Sequence, residues 1–397
     1  MATYSYVIIG AGMSAAAAVQ GIRDHDQAGE ILIVGQEVFP PYKRPPLSKG
    51  LWREERIEDL WMSNDVQDSH LHLHLGDPVD EIQPDEHRIR TLGGLSWGYE
   101  KLLLATGGHA RRLAGPPDRA FYPGTLSEHI RLWAQLRDKA RKILVVGGGF
   151  IGSEMAAALT EKGHQVTWVI SEEEPFAQWW PAILRDRVAQ TYRDHGVDIR
   201  SGIRVEGIEH TKDGVAARTS NDLRLSADLA VVGIGWVPND DLARSAGLCD
   251  EGPGIPVDEF GQTSQPNIFA CGDVAYAPNA EHGRMHEDHA LSQGRCVGAT
   301  MAGTQVAYTD LPFFYSDLFS WGYEAVGDIS TRHQIVEDWV NPGEEGVLYY
   351  LDGTRLVGVL NWNVWEGVGM ARSLLERREA VTPEALRGKI RNPGSSA

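Results

Sequence analysis

Residues 6–15 read YVIIGAGMSA, and residues 143–154 read ILVVGGGFIGSE. Each stretch starts as a short apolar strand, turns through glycines and enters a helix pattern. In the first, Gly10 permits the tight turn, Gly12 lets backbone approach a pyrophosphate, and Ala15 lets helix and strand pack closely. In the second, Gly147, Gly149 and Gly152 take those places. A further apolar strand follows each unit, at residues 31–34 and 166–170. The free N–H groups of each helix start then face the phosphates. One such glycine pattern is a weak signal. Two of them, 137 residues apart and each bracketed by strand and helix, predict two dinucleotide-binding units in one chain.

The chain has 397 residues, enough for about two to three domains. Hydrophobic residues make up 42% and charged residues 23%, an ordinary globular balance. The net charge of −18 repels phosphate backbones, which excludes nucleic-acid binding as the main task. No apolar run reaches membrane-spanning length, so no membrane span is expected. The start, MATYSYVIIGAG, has no basic leader pattern, and a cytoplasmic protein is expected. Cys249, Cys271 and Cys296 lie far apart in sequence. That spacing speaks against a disulfide framework, a zinc site and a redox dithiol, and no metal centre is expected.

Two units imply two dinucleotides, and one pairing is a resident flavin dinucleotide with a nicotinamide dinucleotide that exchanges. After the second unit, Glu172 ends the strand, where a carboxylate accepts hydrogen bonds from the adenosine ribose hydroxyls. Glu173, Glu174 and Pro175 follow with no Arg or Lys. That run repels a 2′-phosphate, so NADH is favoured over NADPH. In the first unit the corresponding position falls on Gln36 or Glu37.

From here the sequence resembles a known family: the flavin-dependent NADH oxidoreductases that include ferredoxin and rubredoxin reductases of oxygenase systems. Within them it looks most like the apoptosis-inducing factor branch. PYKRPPLSKGLW, residues 41–52, resembles the loop over the flavin. The match implies that Arg44 contacts the FAD pyrophosphate and that Lys49 lies beside the isoalloxazine. Ala105, Thr106 and Gly107 resemble the strand end that packs on FAD. Gly235, in the GIG of residues 233–235, belongs to a stretch resembling the return crossover from the NADH-binding part. NIFACGD, residues 267–273, resembles the second FAD motif, with Gly272 allowing close approach and Asp273 accepting from a ribityl hydroxyl.

The resemblance also pairs Lys49 with Glu154 near the flavin as the catalytic pair. It makes Phe150 a gate to the nicotinamide pocket; a plain core phenylalanine is the competing reading. His286 stands where the branch has a histidine near the nicotinamide, although Met285 replaces the usual preceding glutamate. Tyr315 stands where the branch often has tryptophan.

The expected architecture is α/β: two Rossmann-like dinucleotide-binding domains of the glutathione-reductase-like kind, plus a C-terminal α+β interface domain. The expected FAD-binding domain is discontinuous, 1–108 and 230–308. Residues 109–229 form the NADH-binding domain, and 309–397 the C-terminal domain. Within the last, 323–329, 334–340, 347–351 and 356–362 read as antiparallel strands. Asp352-Gly353 marks a hairpin, 364–378 reads as an amphipathic helix, and the polar tail 392–397 is expected to fray. Trp179 and Trp180 follow the acidic run, either as an exposed partner surface or buried under a helix.

The expected activity is FAD-dependent NADH oxidation, with hydride passing to FAD and electrons onward to a ferredoxin, a rubredoxin-like protein or another acceptor. The second reading is a redox sensor like apoptosis-inducing factor, in which a long-lived charge-transfer complex controls dimerisation; a homodimer is a candidate state. Residues 40–49 contain no cysteine, unlike disulfide reductases of this fold. Docking of an acidic ferredoxin calls for a local basic face, for which Arg111, Arg112, Arg137, Lys139, Arg141 and Lys142 are the candidates.

Overall fold

The structure, a computed structural model, describes residues 1–62, 68–116, 118–276 and 286–391. Met285 and the tail 392–397 lie outside the described residues. The chain divides into two compact units. The first comprises Met1–Arg44, Arg56–His109 and Trp236–Asp310; the second comprises Pro45–Glu55, Ala110–Gly235 and Leu311–Ala397.

The first unit is built on a parallel sheet. Strand Thr3–Ile9 pairs in parallel with Ile31–Gly35 on one side and Ser96–Leu104 on the other. Leu71–Leu75 extends one edge, and Ile268–Ala270 pairs with the C-terminal part of Ser96–Leu104. An antiparallel pair, Val79–Gln83 and Arg88–Thr91, continues from its N-terminal part. Both faces of the central strands are covered, so YVII and ILIV are continuously apolar rather than alternating.

One cover is a pair of helices, Met13–Arg23 and Glu287–Met301. Their small residues bring the backbones into direct contact. A Cβ on Gly298 would collide with the Ala18 carbonyl, and one on Gly21 with the Arg295 carbonyl. The alanine run 15–18 is therefore a close-packing surface rather than merely a favourable helix composition.

In the second unit five parallel strands run in the order Asp198–Arg200, Gln165–Val169, Lys142–Val146, Leu229–Val232, Ala120–Phe121. A three-stranded antiparallel sheet, Val205–His210, Val215–Thr219 and Arg224–Ala227, lies in the same unit. The C-terminal part is a five-stranded antiparallel sheet in the order Phe313–Leu318, Trp321–Gly327, Arg355–Trp362, Glu345–Asp352, Gln334–Asn341. It shares one apolar core with the parallel sheet. Trp168, Trp180, Tyr192 and Met155 are buried in a single cluster with Tyr323, Tyr350 and Trp362.

The four C-terminal strands read from the sequence are present, with ends shifted by one or two residues. The expected hairpin is present: Asp352 pairs with Arg355 across a Gly353-Thr354 turn, with Gly353 at φ +62°. The helix expected over 364–378 is shorter, Val368–Glu376. Asn363 and Glu366 adopt φ of 50° and 63°, so the chain leaves the right-handed region before the apolar spacing can start a helix. The spacing of Val364 instead serves direct burial. No helix among the described residues is long and apolar enough to cross a membrane.

Gly298→Ala is expected to lower the melting temperature by several degrees, because overpacking a tight helix contact costs about 1–3 kcal/mol. Gly252→Ala, whose added methyl meets nothing, serves as the control and should shift it by far less. Differential scanning calorimetry of the two variants checks this.

Candidate functional site

In the first unit the strand Thr3–Ile9 runs straight into the glycine turn. Gly10 has φ +107°, and a side chain there would collide with the Ala105 carbonyl at the end of the adjacent strand. Gly12 caps the Met13–Arg23 helix in extended conformation with no side-chain cap. A Cβ on Gly12 would meet nothing within 4 Å, so no side chain or backbone crowds the head of the helix there. That arrangement suits an anion. Ala15 is fully buried behind it.

Polar groups converge on the same unit from three other segments. Arg44 donates to Glu37 at 2.8 Å, and the Tyr42 hydroxyl donates to the other Glu37 oxygen at 2.7 Å. Arg44 also acts electrostatically on Asp273. Burial pushes the Asp273 carboxyl up to about 6, against the lowering pull of Arg44 and of the Trp236 indole. Gly272, at φ +74°, leaves no room for a side chain beside Ser14, and its N–H donates to Gln293 Oε1 at 2.8 Å.

Thr106 Oγ1 donates to the Asn239 carbonyl, and Asn239 Nδ2 donates back to the Thr106 carbonyl, each at 2.8 Å. Asn239 N also donates to the Gly107 carbonyl at 2.9 Å. This double clasp fixes the segment 105–107, where Gly107 takes φ +60° with open space beside it. Of the two ribose candidates, Glu37 is tied to Arg44 and Tyr42, while Gln36 is exposed at the strand end. His286 is the N-cap residue of the Glu287–Met301 helix.

The second unit repeats the construction. Gly147, at φ +119°, abuts the Gly233 carbonyl, and Gly152 abuts the Gly147 carbonyl. Gly149 caps the Phe150–Glu161 helix in extended conformation with open space beside it. Trp168 Nε1 braces the turn by donating to the Gly147 carbonyl at 2.8 Å. Glu172 reaches over the loop: a Cβ on Gly148 would lie 2.9 Å from its Oε2. Gly235 has φ +116°, and its carbonyl accepts from Arg111 N at 2.9 Å.

Phe150, the first residue of that helix, stacks on Trp179 with ring centres 4.8 Å apart and planes 15° from parallel. Phe314 borders the same ring at 5.3 Å. Trp180 is fully buried, stacked 4.0 Å from Phe176. Trp180 is thus inside, whereas Trp179 is only partly buried against the same cluster. Phe176 is held at φ 60°, a conformation costing roughly 1–2 kcal/mol, inside that aromatic stack. The Tyr350 hydroxyl pins the loop by donating to the Trp179 carbonyl at 2.7 Å.

Lys49 and Glu154 meet in this unit. Lys49 Nζ lies 3.3 Å from Glu154 Oε1, donates to the Tyr315 carbonyl at 2.9 Å, and sits 4.1 Å above the Tyr315 ring. Sequence reasoning missed two partners: Ser48 Oγ donates to Glu154 Oε2 and Ser316 Oγ to Oε1, both at 2.6 Å. Only the position of Ser48 beside Lys49, and of Ser316 beside Tyr315, hinted at them.

Two of the six basic candidates can be placed along the parallel sheet by its register. Arg111 hydrogen-bonds to Gly235, beyond the C-terminal end of Leu229–Val232. Lys142 begins the neighbouring parallel strand, whose register pairs Ile143 with Leu229 and Val146 with Val232. Arg111 therefore stands at the C-terminal end of the sheet's strands. Lys142 stands at the N-terminal end, roughly 16 Å away at 3.3 Å per strand residue.

The family of pyridine nucleotide-disulphide oxidoreductases matches this chain over residues 4–294. The chain belongs to that family. It is a flavoprotein oxidoreductase whose cofactors are FAD and NADH, and the two glycine cradles described above fit two dinucleotides. It is 33% identical to rhodocoxin reductase of Rhodococcus erythropolis over 96% of this chain and 91% of that one. It is 31% identical to the ferredoxin–NAD(+) reductase component of the p-cumate 2,3-dioxygenase system of Pseudomonas putida, over 96% and 95%.

Among solved structures, putidaredoxin reductase in its covalent complex with putidaredoxin superposes with a TM-score of 0.87 at 29% identity, covering 97% of this chain and 95% of that one. The ferredoxin reductase for the CYP199A2 system of Rhodopseudomonas palustris also gives 0.87 at 29% identity, covering 96% of each. Disulphide chemistry within the family needs a cysteine couple. Here Cys249, Cys271 and Cys296 are all free, and burial pushes the Cys271 thiol up to about 12.

A carboxyl raised by burial binds its proton more tightly in the folded state. Its stabilising contribution is present below the unfolded value of about 4 and is lost as pH rises through about 6. In flavin-stripped protein, Asp273→Asn should therefore raise the melting temperature above pH 6 and leave it unchanged near pH 4. A melting series from pH 4 to 8 measures this.

Proposed function

We propose that this flavoprotein is an NADH–ferredoxin reductase, delivering electrons from NADH one at a time to an iron–sulfur protein. The observation that carries the reading is a second nucleotide cradle in a chain with no cysteine couple, so electrons have no internal disulfide to reduce. The relatives named as ferredoxin–NAD(+) reductases support it, as does the putidaredoxin reductase whose structure was solved with its iron–sulfur partner. Bound FAD supplies the exchange between a two-electron hydride donor and a one-electron acceptor.

In this reading the first unit holds FAD. Gly10, Gly12 and Ala15 admit the pyrophosphate, and Arg44 neutralises its charge. Glu37 aims Arg44, leaving Gln36 as the ribose contact. Ala105, Thr106 and Gly107 back the flavin, Gly272 lets its chain approach, and Asp273 accepts from a ribityl hydroxyl. A carboxyl held near 6 accepts such a bond well once the hydroxyl restores the solvation it lacks. His286 borders the nicotinamide.

The second unit takes NADH on Gly147, Gly149, Gly152 and Gly235, with Glu172 on the ribose hydroxyls. Phe150 gates the nicotinamide, and Tyr315 offers it an aromatic face. Lys49 and Glu154 tune the flavin by charge; hydride transfer itself needs no protein acid or base. The FAD-binding domain would then be 1–108 with 230–308, the NADH-binding domain 109–229, and the C-terminal domain 309–397.

Anaerobic NADH titration of the purified protein should bleach its visible flavin bands, and an added ferredoxin should restore them promptly. Absence of flavin bands after reconstitution overturns the reading. A long-wavelength charge-transfer band that survives air and ignores ferredoxin favours the sensor reading instead.

Glu172→Gln should raise the KM for NADH roughly tenfold, since a charged hydrogen-bond acceptor is lost. The KM for NADPH should fall or hold, because the repulsion of its 2′-phosphate is relieved. Steady-state kinetics with both nucleotides decide this.

A further inference from the structure

We propose that Ser48 and Ser316 are positioning residues for the redox chemistry: their hydroxyls lock the Glu154 carboxylate and thereby fix the Lys49 ammonium. The inference rests on the reading that Lys49 and Glu154 serve the flavin. Glu154 is only 5% exposed, Ser316 1% and Ser48 8%. A carboxylate removed from water needs donors at both oxygens. Here each oxygen receives one serine hydroxyl at 2.6 Å, within the short range of charge-assisted O–H···O bonds. Lys49 stands off at 3.3 Å from Oε1. The hydroxyl contacts are the tighter ones, so the serines, not the lysine, set the plane of the carboxylate.

That plane matters because the terminal torsion of a glutamate is broad and roughly two-fold. Without a donor on Oε2 the carboxylate can turn and carry Oε1 away from the ammonium. The donors arrive from separate segments. Ser48 precedes Lys49 in the loop Pro45–Glu55, and Ser316 follows Tyr315 in the strand Phe313–Leu318. The Tyr315 carbonyl takes a second bond from Lys49 at 2.9 Å. Five residues thus form one network, in which Lys49 is held from two directions only while Glu154 keeps its orientation. Tyr192 and Tyr323, buried near Glu154, have hydroxyls pushed well up by burial and then by its charge, and so stay protonated. The serines are the neutral donors that fix the carboxylate.

The test is anaerobic stopped-flow reduction of the FAD-loaded protein by NADH, together with the flavin midpoint potential. The variants are Ser48→Ala, Ser316→Ala, Ser48→Thr and Lys49→Met, with each serine-to-alanine change also made in a Glu154→Gln background. Each alanine should slow flavin reduction roughly tenfold and shift the potential, and Ser48→Thr should restore most of both. In the Glu154→Gln background the alanines should add nothing further, because they act through that carboxylate.

Wild-type rates and potential in the alanine variants overturn the proposal, as do effects of equal size in both backgrounds. If Lys49→Met slows reduction while the alanines do not, this inference alone fails. If Lys49→Met itself reduces at the wild-type rate, the reading of the pair fails with it. Should Ser316→Ala lose its flavin, the Ser48 variants decide.

Discussion

Backbone pressed against a neighbouring strand's carbonyl is the constraint on which both nucleotide cradles depend. Gly10 against Ala105 and Gly147 against Gly233 are the same contact made twice, at left-handed φ of +107° and +119°. In each case the parallel strand brings its end alongside the turn. The turn in turn launches a helix with an uncapped, extended glycine at its head. A single methyl group at either position would part strand from turn. The helix start would then no longer stand over the space where phosphate belongs.

Much of this was legible in the sequence because glycine identity, strand hydrophobicity and helix onset are local properties. The motif reading placed Gly10, Gly12, Gly147 and Gly149 in their turns, and Asp352-Gly353 announced the hairpin, whose two-residue turn is Gly353-Thr354. The start of the last long helix did not. Asn363 and Glu366 turn left-handed because of packing that apolar spacing does not encode. The placement of the basic residues was hidden for a related reason. Arg111 and Lys142 stand at opposite ends of one parallel sheet, a separation set by strand length and register that residue identity does not reveal.

The site residues divide in the same way. Lys49 and Glu154 could be singled out by the family resemblance, but Ser48 and Ser316, 106 and 162 residues from Glu154, carried no motif role of their own. Serine in a loop or strand is unremarked until folding removes the water from around its partner. Trp179 and Trp180 gave no directional signal either. Only the core shared by the parallel sheet and the C-terminal antiparallel sheet decides that Trp180 is buried and Trp179 half-covered.

The segment from Ser171 to Trp180 has a division of labour along its length. Its beginning carries the carboxylates, with Glu172 over the glycine loop and Glu174 in a half-exposed ion pair with Arg185. Its end carries the aromatic anchor of Phe176 and Trp180. In the proposed reading, coenzyme choice and structural integrity therefore sit on adjacent but separable stretches of one connection. A redesign for the phosphorylated coenzyme can be confined to positions 172–174, leaving the heel of the loop as a fixed hinge on which new side chains are mounted.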